Sequence, residues 1–203
     1  MSDLHTGPDG LPRCTWCAAT PEYVAYHDTE WGFPVADDRR LFEKLSLEAF
    51  QSGLSWRTIL AKRENFRAGF AGFDIAVLAT WGEAEVQRLL GDAGIVRHRG
   101  KIEAVLNNAR RAQELIRDEG SLAAYVWRHE PTREDPPAAG PVVGQTAVSQ
   151  AISKDLKRRG WAFVGPTTVY AFMQAMGLVN DHATGCAWRA RVTAARRAFQ
   201  RPV

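Results

Sequence analysis

The 203-residue sequence has few cysteines, no long hydrophobic run and no apolar leader. Its three cysteines, Cys14, Cys17 and Cys186, are an odd number, which argues against a framework of disulfide bonds. No apolar run approaches the roughly 20 residues that a membrane-spanning helix needs. The polar N-terminus MSDLHTGPDGLPR does not look like a signal peptide. We therefore expect a cytoplasmic protein with no membrane partner.

Positive charge is scarce outside the C-terminus. The formal net charge is +3, but residues 189–203 carry five arginines and no acidic residue, so residues 1–188 sum to −2. Since residues 1–188 are slightly acidic overall, we expect them to bind nucleic acid only through a local basic patch, with help from the arginines of residues 189–203. The hydrophobic fraction of 45% is that of an ordinary globular chain, which excludes a wholly disordered or fibrous protein.

Helical periodicity dominates the sequence and predicts an all-α fold. The clearest helix is predicted from about Lys101 to Arg117, where apolar residues recur every three or four positions. The other predicted helices cover about 38–51, 55–66, 83–91, 121–127, 149–159, 167–176 and 184–199. Pro and Gly recur without periodicity in residues 129–148, which predicts a long, mobile surface loop.

A carboxylate on an apolar helix face is the first candidate functional group. Glu48 follows Leu41 by seven residues and shares its face of the predicted helix, where an acidic residue needs a partner or a pocket. Five nearby aromatic residues are of the type that stacks on a flat ligand: Trp16, Tyr23, Tyr26, Trp31 and Trp56. A hydrogen-bonded core carboxylate and ordinary core aromatics remain the structural alternatives.

Two Cys–His pairs at opposite ends of the chain indicate a metal site. Cys14 and His27 lie near one end, and His182 precedes Cys186 by four residues near the other. One Cys and one His from each end make a set suited to tetrahedral zinc. Cys17 complicates this interpretation, because Cys14-x-x-Cys17 is itself a metal-binding spacing. Buried thiols without a metal are the remaining alternative.

A basic segment with two glycines predicts a phosphate-binding hairpin. Gly160 and Gly165 bound a short turn between two predicted helices, and Phe163 and Val164 are expected to pack inward. Pro166 suits the first position of the second helix, whose free backbone N–H groups can bind a phosphate. The residues expected to contact DNA are Gly160, Gly165, Thr167, Lys157 and Arg158. A solvated charged face is the alternative.

Four long segments follow one another in the chain: AYHDTEWGFP, LEAFQSGLSWRTIL, GIVRHRGKIEAVLNNAR and RRGWAFVGPTTVYAFMQAMGLVNDHATGC. Together they resemble the DNA-3-methyladenine glycosylase I (Tag) family over about residues 12–187. The resemblance implies a helix-hairpin-helix glycosylase domain at 12–188 whose termini are clipped together by zinc. A flexible tail at 1–11 and an Arg-rich extension at 189–203 are expected to flank it.

The resemblance also implies an activity. A monomer would flip 3-methyladenine out of alkylated double-stranded DNA and hydrolyse its N-glycosidic bond, leaving an abasic site. The five aromatic residues would line the pocket for the flipped base, and Glu48 would be its main polar contact and the catalytic residue. One structural zinc ion per chain would be held by Cys14, His27, His182 and Cys186, which leaves Cys17 without a metal role.

Some features depart from the family pattern or are left open by it. Ala49 stands where the family often has glycine, and the Arg-rich extension lies outside the resemblance. Asp181 is expected to support its neighbour His182 rather than to act on the substrate. Two other functions stay open: a non-catalytic zinc-containing module that binds damaged DNA, and a glycosylase of the same fold with another lesion preference.

Overall fold

The computed structural model describes residues 4–131 and 144–203, and these residues are predominantly helical. The α-helices are α1 Pro21–Thr29, α2 Asp38–Gln51, α3 Trp56–Ala61, α4 Arg63–Gly69, α5 Ile75–Thr80, α6 Glu83–Leu90, α7 Arg99–Glu119, α8 Leu122–Trp127, α9 Ala147–Arg158, α10 Pro166–Ala175 and α11 Ala187–Ala198. Short 3-10 helices cover Thr15–Ala19 and Ala71–Phe73, and two strands cover β1 Leu4–Thr6 and β2 Pro12–Cys14. None of the described helices is long and apolar enough to cross a bilayer.

Helix starts agree with the prediction where a capping side chain marks them. Asp37 accepts a hydrogen bond from the Arg40 amide at 2.8 Å, and the hydroxyls of Ser55 and Ser121 cap α3 and α8 in the same way. Every predicted helix is present to within about three residues, but the one predicted from Ser55 is divided at Lys62 into α3 and α4. Residues 132–143 of the predicted loop lie outside the described residues.

Two short strands lie in the N-terminal residues of this predominantly helical fold. Strands β1 and β2 form an antiparallel hairpin in which Leu4 pairs with Cys14 and Thr6 with Pro12. Strands of three residues are too short to show a periodicity, so the sequence pattern did not reveal them. Helices α1 and α5 were missed as well. Helix α1 buries Tyr26 and His27 rather than an apolar stripe, and α5 has six residues, of which only Leu78 is buried.

Helix α2 lies at the centre of the fold and is buried on all sides. Its residues from Leu41 to Phe50 are all buried, between α8 and α10 on one side and α3 and α7 on the other. A helix surrounded in this way has no solvated face, so its charged residues Lys44 and Glu48 lie inside the protein. This placement brings both side chains to α1 and α3, where the candidate site lies.

Candidate functional site

Four ligand-type side chains from the two ends of the chain meet at one buried point. Cys14, His27, His182 and Cys186 have their ligand atoms within 4.8 Å of one another. His27 Nε2 lies 3.1 Å from His182 Nδ1, and Cys186 Sγ lies 3.6 and 3.5 Å from these two nitrogens. Metal–ligand distances of about 2.0–2.3 Å give a tetrahedron with edges of about 3.3–3.8 Å. The donor set and its spacing therefore fit a tetrahedral metal ion.

These four residues, Cys14, His27, His182 and Cys186, are called the metal cluster below, as a candidate site for one ion. Each of its two histidines is oriented by a contact of the ring nitrogen that faces away from the centre. His27 Nδ1 lies 2.7 Å from a carboxylate oxygen of Asp28, and His182 Nε2 lies 3.1 Å from the backbone oxygen of Trp31. These contacts leave His27 Nε2 and His182 Nδ1 facing the centre, as metal ligation requires. Asp28 is held in turn by Arg13, 2.9 Å away.

The expected support of His182 by Asp181 is not what the structure shows. The Asp181 carboxylate instead accepts hydrogen bonds from the Tyr170 hydroxyl at 2.6 Å and the Gln174 amide at 2.7 Å. Asp28 takes the supporting role, and it does so for His27. Its position directly after that histidine in the sequence was the signal that would have identified it.

The thiols of the metal cluster differ from the third cysteine. The Cys14 thiol and the two imidazoles hold the pKa of Cys186 well below its usual range, which favours the thiolate form that binds metals. Cys17 is fully buried but lies outside the cluster, and burial raises the pKa of its thiol to about 11. The structure therefore separates Cys17 from the metal cluster.

Beside the metal cluster, the five predicted aromatic residues form one contiguous group, the aromatic cage: Trp16, Tyr23, Tyr26, Trp31 and Trp56. The Trp16 ring centre lies 5.0 Å from those of Tyr23 and Trp31, and the Tyr26 and Trp56 centres are 5.4 Å apart. Trp16 and Trp31 also contact the two histidine rings. The metal cluster thus supports one wall of the aromatic cage.

Glu48 reaches this aromatic cage from α2 and is 6% exposed. Its carboxylate lies 2.7 Å from the Lys44 ammonium one turn earlier. Burial and the Glu48 charge together raise the pKa of the Tyr23 and Tyr26 hydroxyls, because phenolate would be formed next to a carboxylate. The carboxylate predicted to need a partner or a pocket therefore has a partner, Lys44.

Two further features of the aromatic cage were not identified from the sequence. Lys44 is buried, donates a hydrogen bond to the Tyr26 hydroxyl at 2.8 Å and lies 3.1 Å from the centre of the Trp56 ring. The indole N–H of Trp56 is buried and has no acceptor among the described residues. An unpaired buried donor costs free energy, which a ligand with a suitably placed acceptor would recover.

The predicted hairpin joins α9 to α10 through residues 159–165. Gly160 has a φ of +83°, and Gly165 caps α10 in a place where a side chain would meet nothing within 4 Å. Val164 is buried, as expected. Phe163 is not: it is 39% exposed and has a φ of +56°, which turns its ring outward against His98. The predicted DNA contacts Lys157, Arg158 and Thr167 are all exposed.

Helix α7 holds this hairpin through two asparagines that the sequence analysis did not single out. The buried side chain of Asn108 donates to the backbone oxygen of Ala162 at 2.9 Å and accepts from its amide at 2.8 Å. Asn107 donates to the backbone oxygen of Gly160 at 2.9 Å. About two turns earlier, Lys101 donates to the backbone oxygen of Phe50 at 2.9 Å, near the end of α2.

The Arg-rich C-terminal residues belong to the fold rather than extending from it. Most of them lie in α11, where Arg196 is buried and donates to the backbone oxygen of Leu178 at 2.9 Å. Arg196 and Arg201 both pair with the buried carboxylate of Glu130. Part of the positive charge that the sequence places at this end is therefore neutralised within the protein.

Comparisons with known proteins cover nearly the whole chain. A family model described as methyladenine glycosylase matches residues 16–190. The chain is 47% identical over 179 residues to DNA-3-methyladenine glycosylase 1 of Escherichia coli, which is 87% of this chain and 96% of that protein. The crystal structure of a 3-methyladenine DNA glycosylase I matches with a TM-score of 0.80 and 49% identity, over 86% of this chain and 98% of that one.

A further solved structure carries a ligand. It is a 3-methyladenine DNA glycosylase I variant in complex with 3-methyladenine, 33% identical, with a TM-score of 0.82 over 87% of this chain and 97% of that one. The residues matched by the family model include the whole aromatic cage, the hairpin and three of the four residues of the metal cluster.

Proposed function

Because the chain belongs to the methyladenine glycosylase family, we propose that it excises 3-methyladenine from alkylated DNA in base-excision repair. The reaction is hydrolysis of the N-glycosidic bond, and its products are the free base and an abasic site in an uncut strand. The observation that carries the proposal is the buried carboxylate of Glu48, whose charge raises the pKa of the Tyr23 and Tyr26 hydroxyls of the aromatic cage. A module that only bound damaged DNA would need the hairpin and a basic surface, but not a carboxylate inside an aromatic cage.

The lesion itself weakens the glycosidic bond, so few catalytic groups are needed to break it. Alkylation at N3 gives the adenine a positive charge while it is still attached to the sugar, so the base is already a good leaving group. Aromatic rings present their negative faces to such a cation. Glu48 would accept hydrogen bonds from the amino edge of the adenine, which distinguishes it from guanine, and would stabilise the positive charge.

The base reaches the aromatic cage only after leaving the duplex. We propose that α9, the turn at 159–165 and α10 act as a helix-hairpin-helix unit that binds the phosphate backbone of double-stranded DNA. Gly165 and Thr167 present the first turn of α10, and Lys157 and Arg158 add positive charge on the exposed end of α9. Binding through such contacts weakens as salt rises, because phosphate contacts release counterions.

Removing the Asn108 side chain tests this role of the hairpin. Asn108→Ala leaves the amide and the carbonyl of Ala162 without partners, which costs about 2 kcal/mol of stability and loosens the turn. We expect affinity for duplex DNA to fall about tenfold, measured by fluorescence anisotropy at fixed salt, with binding of free 3-methyladenine unchanged. Asn107→Ala removes the hydrogen bonds to the Gly160 oxygen and to the Asn108 side chain but keeps both contacts of Asn108 with Ala162, and it should change DNA affinity less than threefold. If Asn108→Ala bound duplex DNA as tightly as the wild type, the proposal that the hairpin binds the phosphate backbone would be contradicted.

For the metal cluster we propose one zinc ion per chain, held by Cys14, His27, His182 and Cys186. Two thiolates and two imidazoles are a donor set that zinc prefers, and the spacing of the four atoms supports it. Four protein ligands leave no position for a water molecule, so the ion would be structural. It would clip β2 and α1 to the segment before α11 and keep the wall of the aromatic cage in place. We further propose that the protein acts as a cytoplasmic monomer.

Base release decides among the candidate functions. The wild-type protein is incubated with duplex DNA methylated by a simple alkylating agent, and the released bases are separated by chromatography. We expect 3-methyladenine, with the strand left uncut. Tight DNA binding without any released base would instead support the non-catalytic module. Release of a different alkylated base would retain the fold and the reaction but overturn the substrate.

A further inference from the structure

A buried cation already lies against the groups that are proposed to bind the base. The Lys44 ammonium lies 2.7 Å from Glu48, 2.8 Å from the Tyr26 hydroxyl and 3.1 Å from the centre of the Trp56 ring. An ammonium centred over an indole face is a cation–π contact, the same type of contact that a cationic adenine would make there. Lys44 therefore makes, within the protein, the contacts expected of the substrate.

The spacing of the rings indicates that the two cations exclude each other. A base sandwiched between two aromatic rings needs their centres about 7 Å apart, since each stacking contact takes about 3.5 Å. The Tyr26 and Trp56 centres are 5.4 Å apart and their planes are tilted by 45°. A base can therefore stack between Tyr26 and Trp56 only after these rings separate and the Lys44 ammonium leaves the face of the Trp56 ring.

We propose that Lys44 is a specificity-determining residue, an internal competitor that occupies the aromatic cage through Glu48 and Trp56 and opposes the entry of a cationic base. The inference rests on the proposed function of the cage. In the empty site, Lys44 pairs with a carboxylate that would otherwise be buried alone, which is strongly unfavourable. In the occupied site, its charge faces the charge of the base. Neutral bases meet only the steric part of this barrier.

The surroundings of Lys44 provide a place for the displaced ammonium. The cleft beside it is lined by the carboxylates of Glu30 and Glu43, which pair with Arg63 and Arg67 respectively. Lys44 therefore moves from one carboxylate towards two others when the base enters. Burial lowers the pKa of the Lys44 ammonium to about 8. The charge that opposes the base can therefore be removed either by movement of the ammonium or by loss of its proton.

Variants that grade the charge at this position test the proposal. Lys44→Met keeps an unbranched side chain of similar length without charge, and Lys44→Arg keeps a permanent charge. The probes are 3,9-dimethyladeninium, whose positive charge is fixed, and the uncharged free base 3-methyladenine. Binding is followed by quenching of tryptophan fluorescence. We expect Lys44→Met to bind the cation about tenfold more tightly and the neutral base less than threefold more tightly, and Lys44→Arg to bind the cation more weakly than wild type.

The pH dependence gives a second readout that a structural role would not produce. Lys44 faces Glu48 on its own helix, Tyr26 and Glu30 from α1 and its end, and Arg63 from α4. The cleft beside it is also lined by three further charged residues: Arg40, Glu43 and Arg67. Between about pH 7 and 9 the wild type should bind the fixed cation progressively more tightly, because Lys44 loses its proton. Lys44→Met keeps all of the other groups and should show no such rise.

The possible results distinguish a failure of the proposed Lys44 competition from a failure of the aromatic cage as the base site. Equal gains for both probes in Lys44→Met, or no gain, would overturn the competition of charges while leaving the aromatic cage as the base site. A wild type that binds neither probe would overturn the assignment of the cage and this inference with it. Lys154→Met, an exposed charge removed on α9, should bind both probes like the wild type.

Discussion

Glu48→Gln should reduce the release of 3-methyladenine about 100-fold in single-turnover assays on methylated duplex DNA. The substitution keeps the size of the side chain but replaces the charge that faces a cationic base with a neutral amide. Loss of a charge-assisted hydrogen bond costs about 1.5–3 kcal/mol, and each 1.4 kcal/mol is a factor of ten in rate. We expect the loss in the rate of the chemical step, with DNA affinity preserved because the hairpin is untouched.

Two further variants separate this effect from a general loss of structure or charge balance. Glu83→Gln neutralises an exposed carboxylate on α6, where it pairs with Arg99, and should release the base at nearly the wild-type rate. The double variant Lys44→Met with Glu48→Gln removes both members of the buried ion pair. If it recovered full activity, the defect of Glu48→Gln would come from an unpaired Lys44, and Glu48 would have no direct role with the base.

Cys14→Ser should abolish stoichiometric zinc binding and lower the melting temperature by roughly 10–20 °C. A metal held by Cys14 and Cys186 closes a loop of most of the chain, and closing a loop longer than 100 residues is worth about 5 kcal/mol in the chain-entropy description. For a domain of this size, each kcal/mol shifts the melting temperature by about 2–4 °C. Elemental analysis of the purified protein and thermal denaturation followed by circular dichroism measure the two effects.

Cys17 offers a matched control for this experiment. It is as buried as Cys14, lies three residues away and is outside the metal cluster. Cys17→Ser should therefore keep one zinc per chain and lose little stability. A Cys14→Ser protein with full zinc content, or a wild type whose melting temperature is unaffected by complete zinc removal, would contradict the structural role. Any Cys14→Ser protein that stays folded should still release the base, more slowly, since the metal cluster supports only one wall of the aromatic cage.

Local signals in the sequence predicted most helices but not the contacts between them. Asp37, Ser55 and Ser121 marked helix starts because their side chains cap the following amides within three residues. Strands β1 and β2 and helix α1 carry no apolar periodicity, so they were missed. Phe163 was placed inward because it is apolar, whereas the positive φ of the turn directs its side chain outward.

In the candidate site, too, contacts within one helix could be predicted from the sequence, whereas contacts between helices could not. The spacing of Lys44 and Glu48 is visible in the sequence, since residues four apart on a helix are neighbours. That the ammonium then meets Trp56 and the Tyr26 hydroxyl depends on how α1 and α3 pack against α2. Likewise Asn108 acts through a turn more than 50 residues later, and no pattern within α7 shows this partner. The resemblance to the family indicated the candidate residues, and the structure supplied the contacts between them.

The attachment of α7 at two places has a consequence for how far a damaged nucleotide must travel. The helix holds the end of α2 through Lys101 and the hairpin through Asn107 and Asn108. A helix rises 1.5 Å per residue, so the seven residues from Lys101 to Asn108 act as a stiff spacer of about 10 Å between the two attachments. If the hairpin binds a phosphate as proposed, this spacer sets the distance between that phosphate and the aromatic cage. The DNA would then have to bend or shift its backbone to bring the damaged base to the cage.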